Sequence, residues 1–111
     1  MNIENTQAQM RKGILEYCIL LIISQKDVYV PDIINKLKES RMIVVEGTIY
    51  PLLTRLKNTG LLSYRWEESL QGPPRKYYSI TESGRLFLKE LENSWEELTS
   101  AVNHIKENHN A

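Results

Sequence analysis

Glu46-Gly47-Thr48-Ile49-Tyr50-Pro51-Leu52-Leu53-Thr54-Arg55-Leu56-Lys57-Asn58-Thr59-Gly60-Leu61 is the stretch whose reading decides the fold. Ile49, Leu52, Leu53 and Leu56 stand at i, i+3, i+4 and i+7, the spacing that gathers apolar side chains into one stripe of an α-helix facing a core. At roughly 100° per residue, Thr48, Pro51, Thr54, Arg55 and Asn58 project from the opposite side, flanked by Tyr50 and Lys57. That side can donate hydrogen bonds, pack on a sugar or a thymine methyl, and neutralise phosphate. Gly60 tolerates left-handed dihedrals and marks the helix end, and Leu61 opens a new pattern.

Pro51 allows two placements of the helix start. Thr48 can cap the helix, leaving Pro51 in a first turn whose N–H groups lack partners anyway. Alternatively the helix begins near Glu46, and Pro51 removes an interior bond to the carbonyl of Gly47. The first placement costs less backbone bonding and is the one expected.

A second block runs Gly72-Pro73-Pro74-Arg75-Lys76-Tyr77-Tyr78-Ser79-Ile80-Thr81-Glu82-Ser83-Gly84. The first block, as Gly47-Thr48-Ile49-Tyr50-Pro51-Leu52-Leu53-Thr54-Arg55-Leu56 followed by Gly60-Leu61, resembles the second helix-turn-helix helix of the PadR family of bacterial transcription regulators. The second block resembles that family's wing and the entry to its last helix, so the resemblance covers nearly the whole chain. It implies a winged helix-turn-helix that binds a double-stranded DNA operator. Thr48, Tyr50 and Pro51 are then expected at base edges, sugars or thymine methyls, and Arg55, Arg75 and Lys76 at phosphate, with Pro73 beside them on the wing. Family members often carry a Gly-Tyr pair where this chain has Val30-Pro31, so no contact is carried over to that point.

At 111 residues, with 41% hydrophobic and 25% charged, the chain has the length of one domain with an appended helix and an ordinary soluble composition. One cysteine, Cys18 within an apolar run, excludes an internal disulfide framework and suits a core position in a reducing, cytoplasmic setting. The longest apolar run, Ile14 to Ile23, is interrupted by Glu16 and too short to span a bilayer, and no signal-peptide pattern opens the chain. Net charge is zero, unlike a simple basic nucleic-acid binder. Its distribution is uneven: residues 1–81 carry 11 Lys/Arg against 8 Asp/Glu, a balance of +3, and residues 82–111 carry 3 against 6, a balance of −3. A basic face and an acidic tail helix can coexist in such a neutral molecule.

Residues 1–9 are polar and read as a frayed start. From Met10 to Ser24 the apolar density implies a helix covered on several sides, with Gly13 either at a close contact or at a break. Arg11 and Lys12 read as solvated charges. Val28-Tyr29-Val30 suggests a very short strand, and Pro31 the first position of a helix with Ile33, Ile34 and Leu37 buried, ending near Ser40. Met42 to Val45 form an apolar connection that seats the next helix. Beyond Gly60, Leu62, Tyr64 and Trp66 alternate with polar residues as in a strand with one buried face. Gln71-Gly72-Pro73-Pro74 then turns the chain, and Lys76 to Ile80 resume the alternation.

Thr81 is a plausible helix cap, with Glu82 suited to the dipole of the first turn. Leu88, Leu91, Trp95, Leu98, Val102 and Ile105 then advance by 3, 4, 3, 4 and 3 residues, a heptad seam. A long helix with such a seam needs a partner, and a second copy is the simplest. Phe87 and Leu86 lie off the seam, where they can pack against the helix around residues 14–23.

No catalytic constellation, phosphate-cradling glycine loop or metal-ligand spacing emerges, so neither an enzyme nor a cofactor is expected. His104 and His109 read as surface residues, and Glu67-Glu68 and Glu96-Glu97 as solvated faces. Trp95 fills the seam or lines a cleft between subunits. The resemblance favours the second role as well, because some family members bind planar aromatic or phenolic compounds near the dimer interface. Trp95, Phe87, Leu91 and Tyr17 are the residues such an effector would meet.

The expected architecture is mostly α with a small β wing (α+β): a winged helix-turn-helix domain over residues 1–81 and a dimerisation helix over 82–111. The expected function is that of a homodimeric repressor on a pseudo-palindromic operator, released by a small aromatic ligand. A winged-helix module that contacts protein without sequence-specific DNA binding is the alternative from another class.

Overall fold

The computed structural model describes residues 2–108. Four helices, α1 (Ile3–Gln25), α2 (Val30–Glu39), α3 (Glu46–Asn58) and α4 (Glu82–Asn108), surround a core, and an antiparallel pair, β1 (Leu62–Ser69) and β2 (Gly72–Ile80), stands between α3 and α4. The fold is thus the expected α-rich winged helix-turn-helix.

The core collects Leu15, Ile19, Leu20 and Ile23 of α1, Ile33 and Leu37 of α2, Ile49, Leu53 and Leu56 of α3, Leu62 and Tyr78 of the wing base, and Leu88 of α4. α1, α2 and α3 each contribute a set of apolar side chains at helical spacing, which is why three helices and the start of a fourth close around a single centre. Cys18, Leu52, Phe87 and Leu91 pack partly buried against it. No helix among the described residues is long and apolar enough to cross a membrane.

Several local expectations are revised. Residues 2–9 are not frayed: Asn2 caps α1, its Oδ1 accepting from the N–H groups of Glu4 (3.0 Å) and Asn5 (3.3 Å). Gly13 marks neither a break nor a close contact, since α1 runs through it and nothing lies within 4 Å of a side chain placed there. Val30 is helical, so the strand between α1 and α2 shrinks to a bridge at Val28, whose N–H donates to Tyr78 O (3.2 Å) and whose carbonyl accepts from Tyr78 N (2.7 Å). Pro31 does fall in the first turn of α2.

α3 begins at Glu46 rather than being capped by Thr48, so Pro51 lies inside it. Gly47 and Pro51 are both exposed, so water can satisfy the carbonyl that Pro51 leaves without a donor. At its other end Gly60 takes φ +83°, the left-handed stop expected there, with Gly60 N donating to Lys57 O (3.0 Å) and Leu61 N to Leu56 O (2.9 Å).

The wing turns at Leu70-Gln71, and Pro73 and Pro74 belong to β2. They are tolerated because pairing slips between Glu67↔Arg75 and Ser69↔Gly72, a bulge where the ladder needs no donor. Nor do Tyr64 and Trp66 form a buried face: they are 39% and 62% exposed, because the two-stranded ribbon projects beyond the core and only Leu62 is covered. In the connection before α3, Met42 and Val44 pack on the core, whereas Ile43 and Val45 face outward.

Thr81 caps α4 as expected, its Oγ1 accepting from Gly84 N at 3.0 Å. The same hydroxyl lies 2.7 Å from Gly60 O, and Thr81 N donates to Leu61 O at 3.1 Å. A Cβ on Gly84 would fall 2.1 Å from Leu61 O and 2.7 Å from Ile80 Cγ1, so only glycine lets α4 approach this closely. Leu88 is buried in the chain's own core and Leu91 is half-buried, whereas Trp95, Leu98, Val102 and Ile105 remain exposed. Leu86 is 67% exposed and does not pack against α1, unlike Phe87. The row along α4 therefore divides: its first turns complete the domain and its later turns present apolar side chains outward.

Candidate nucleic-acid interface

α2 and α3 form the helix pair, and α3 presents Tyr50, Pro51, Thr54, Lys57 and Asn58 exposed, with Thr48 half-buried. The geometry follows from the sequence: burying Ile49, Leu53 and Leu56 obliges the opposite side of the helix to face outward. Tyr50 Oη donates to Glu46 Oε1 (3.3 Å) one turn earlier; desolvation and then this acidic partner raise the phenol pKa, so the hydroxyl stays a donor.

A cleft joins α3 to the wing. Tyr29, Val30 and Pro31 at the start of α2, Tyr50 of α3, and Gly72, Pro73, Pro74, Arg75 and Lys76 of β2 line it. Of the residues singled out from sequence, Tyr50, Pro73, Arg75 and Lys76 are thus brought together, with Thr48 and Pro51 on the same helix as Tyr50. Arg55 is not among them. Its guanidinium is ion-paired with Glu16 of α1, in a hollow shared with Thr59, Leu61 and Phe87.

The wing cations rest on aromatic rings. Lys76 Nζ lies 4.0 Å from the centroid of Tyr64, 5.4 Å from Tyr78 and 5.7 Å from Trp66, and Lys57 Nζ of α3 lies 5.4 Å from Tyr64. On the other face of the ribbon the Arg75 guanidinium lies 5.1 Å from the Tyr29 ring. Such contacts hold a cation near the surface without removing its charge. Sequence alone pointed to Arg75 and Lys76, and set Lys57 on the flank of α3, but gave no sign of the rings of Tyr29 and Tyr64 as their supports, because the contacts join elements far apart in the chain.

Asp27 and Arg65, also unforeseen, form an ion pair 38 residues apart in sequence. A hydrogen bond from Ser79 lowers the Asp27 pKa most, desolvation opposes it, and the Arg65 guanidinium lowers it further, while the carboxylates of Asp27 and Glu67 raise that of Arg65. Both groups are therefore charged at neutral pH.

On the far side of the molecule the Tyr17 and Trp95 rings lie 6.4 Å apart at 40°. Leu91 and Phe87 are half-buried on the same α4 helix. Burial, reinforced by Glu92, raises the Tyr17 phenol pKa, and burial alone raises that of the Cys18 thiol. Among the described residues no group of His, Cys, Asp and Glu has the arrangement of a metal site; His109 lies outside them.

A helix pair whose second helix exposes a polar face, followed by a cation-bearing two-stranded ribbon, defines a winged helix-turn-helix protein. Residues 19–90 match the model of the transcriptional regulator PadR-like family, and the chain belongs to that family: it is a transcriptional regulator, not an enzyme. It is 65% identical to a PadR-like transcription factor from Bacteroides fragilis, covering 91% of this chain and 98% of that one with a TM-score of 0.77. A PadR family transcriptional regulator from Eggerthella lenta superimposes with a TM-score of 0.87 at 28% identity, over 96% of this chain and 94% of the other. Bacillus subtilis PadR, solved in complex with operator DNA, is 26% identical over 70% of this chain and 46% of its own length, with a TM-score of 0.64.

Proposed function

We propose that this chain is a cytoplasmic, homodimeric repressor that binds a pseudo-palindromic double-stranded operator. α3 enters the major groove, where Thr48, Tyr50 and Pro51 meet base edges, sugars or thymine methyls. Arg75 and Lys76, with Pro73 beside them, bring the wing to the phosphates, and Arg55 contributes less because Glu16 already pairs with it. The observation that carries this reading is the cleft in which Tyr50 of α3 faces Arg75 and Lys76 of the wing. Operator DNA bound to the Bacillus subtilis relative supports it.

Residues 82–111 act as the dimerisation helix, following the winged domain of residues 1–81. The support is the exposed row Trp95, Leu98, Val102 and Ile105, at 39%, 60%, 50% and 69% exposure, continuous with Leu88 and Leu91 at the core. Two-fold pairing along this row would set the half-sites about one helical turn apart. A planar aromatic or phenolic effector enters beside Trp95, Tyr17, Leu91 and Phe87 and lowers operator affinity by its preference for a displaced arrangement of the two subunits.

Selection of duplexes from a random pool, followed by a salt titration of the best binder, tests the DNA reading. A log–log slope corresponding to several neutralised phosphates is expected. No duplex binding at low salt would overturn it in favour of a protein-contacting module.

A further inference from the structure

The base of the wing is tied to the loop between α1 and α2 by more than its two backbone hydrogen bonds at Val28. Arg65 of β1 pairs with Asp27, and its guanidinium also donates to Glu67 Oε1 from Nη2 (3.0 Å) and Nε (3.2 Å) and to Ser79 Oγ (3.4 Å). The Arg65 guanidinium lies 5.3 Å from the Tyr77 ring, Tyr77 lies 5.5 Å from Tyr29, and Tyr29 carries Arg75 at 5.1 Å. Arginine, tyrosine, tyrosine and arginine thus form one stack along a single face of the ribbon, and Tyr29 directly precedes α2. A two-stranded ribbon that projects from its core has no packing of its own to hold its tilt. A cation fixed at one end of a ring stack restricts the orientation of the cation at the other.

We propose that Asp27 and Arg65 are positioning residues for DNA binding: they latch the wing to the α1–α2 loop and, through Tyr77 and Tyr29, hold Arg75 beside the start of the helix-turn-helix. This role requires no contact of either residue with DNA. The inference rests on the DNA-binding reading above for its consequence, but the latch itself can be measured without DNA.

Asp27→Asn is the deciding variant, because it removes a negative charge from the DNA-binding half. On charge alone it should strengthen binding to a polyanion. The latch predicts the opposite: duplex affinity falls about fivefold, the size an exposed ion pair supports, and Asp27→Glu, which keeps the carboxylate, recovers most of it. In parallel, spin labels on Leu70→Cys and Lys38→Cys in a Cys18→Ser background, diluted with unlabelled chain, report the distance from wing tip to α2. Asp27→Asn should broaden that distribution at an unchanged melting temperature. An unchanged distribution, or a broadened one with unaltered or tighter duplex binding, would overturn the proposal. If the unsubstituted protein bound no duplex, the DNA reading would fall alone, and the distance distribution would still decide the latch.

Discussion

Arg55 of α3 is ion-paired with Glu16 of α1, although the two lie 39 residues apart in sequence. The pair anchors the C-terminal end of α3 to α1, and it leaves less of the Arg55 charge for phosphate. Arg55→Ala should therefore reduce the salt slope of duplex binding by clearly less than the roughly one unit expected for a full phosphate contact. An equal or larger reduction than in Arg75→Ala would show that DNA takes Arg55 from Glu16.

The residues around the cleft should separate by task. Arg75→Ala removes a cation that the proposal assigns to phosphate, so it should weaken binding to all duplexes alike and lower the salt slope by about one unit. Thr48→Ala should instead change the ranking of operators by about 1–3 kcal/mol at one position. A salt titration checks the first and sequencing of selected duplexes the second, and an identical consensus from Thr48→Ala and the unsubstituted protein would sink the base-contact assignment.

Leu98 is exposed in the single chain and Leu88 is buried, so charge at the two positions should act differently. Leu98→Glu introduces no buried charge within a subunit and should yield a folded monomer in sedimentation at micromolar concentration. Leu88→Glu buries an unpaired carboxylate in the core and should prevent folding. A stable monomer of the unsubstituted protein would defeat the dimer proposal.

Trp95, beside Tyr17, should report effector binding in a Trp66→Phe background, which removes the exposed wing tryptophan. Titration with phenolic acids and planar aromatic cations should produce a compound that quenches Trp95 and releases duplex over the same concentration range. Quenching at unchanged duplex affinity would reveal a pocket without a switch, and a full panel without response would refute the effector proposal.

Two glycines predict stability changes of opposite sign. Gly84→Ala would drive a methyl group into the Leu61 carbonyl and should destabilise the protein by about 3 kcal/mol or more. Gly13→Ala meets nothing within 4 Å in a helix interior and should stabilise it by about 0.5–1 kcal/mol. Denaturant midpoints measure both, and a stabilising Gly84→Ala would contradict the close approach of α4.

The sequence by itself determined the elements that local chemistry governs. The stripe of Ile49, Leu53 and Leu56, the stop at Gly60, the cap at Thr81 and the alternation that begins at Leu62 depend on periodicity and on dihedral preferences within a few residues. Pro51 shows the limit of that reading: α3 starts at Glu46, and the exposure of Gly47 lets water take the place of the backbone bond that Pro51 removes. Tertiary structure alone decided what each element faces. The alternation of Tyr64 and Trp66 resembles that of a half-buried strand, yet the ribbon extends past the core and sets their rings against Lys57 and Lys76 instead. The seam of α4 is one row in sequence, yet Leu88 enters the domain core while Leu98 faces outward, since the core ends before the helix does. Glu16 and Arg55, like Asp27 and Arg65, carry no mutual signal in the chain, because a charge at the surface takes whichever partner the packing of its helix or strand brings within reach.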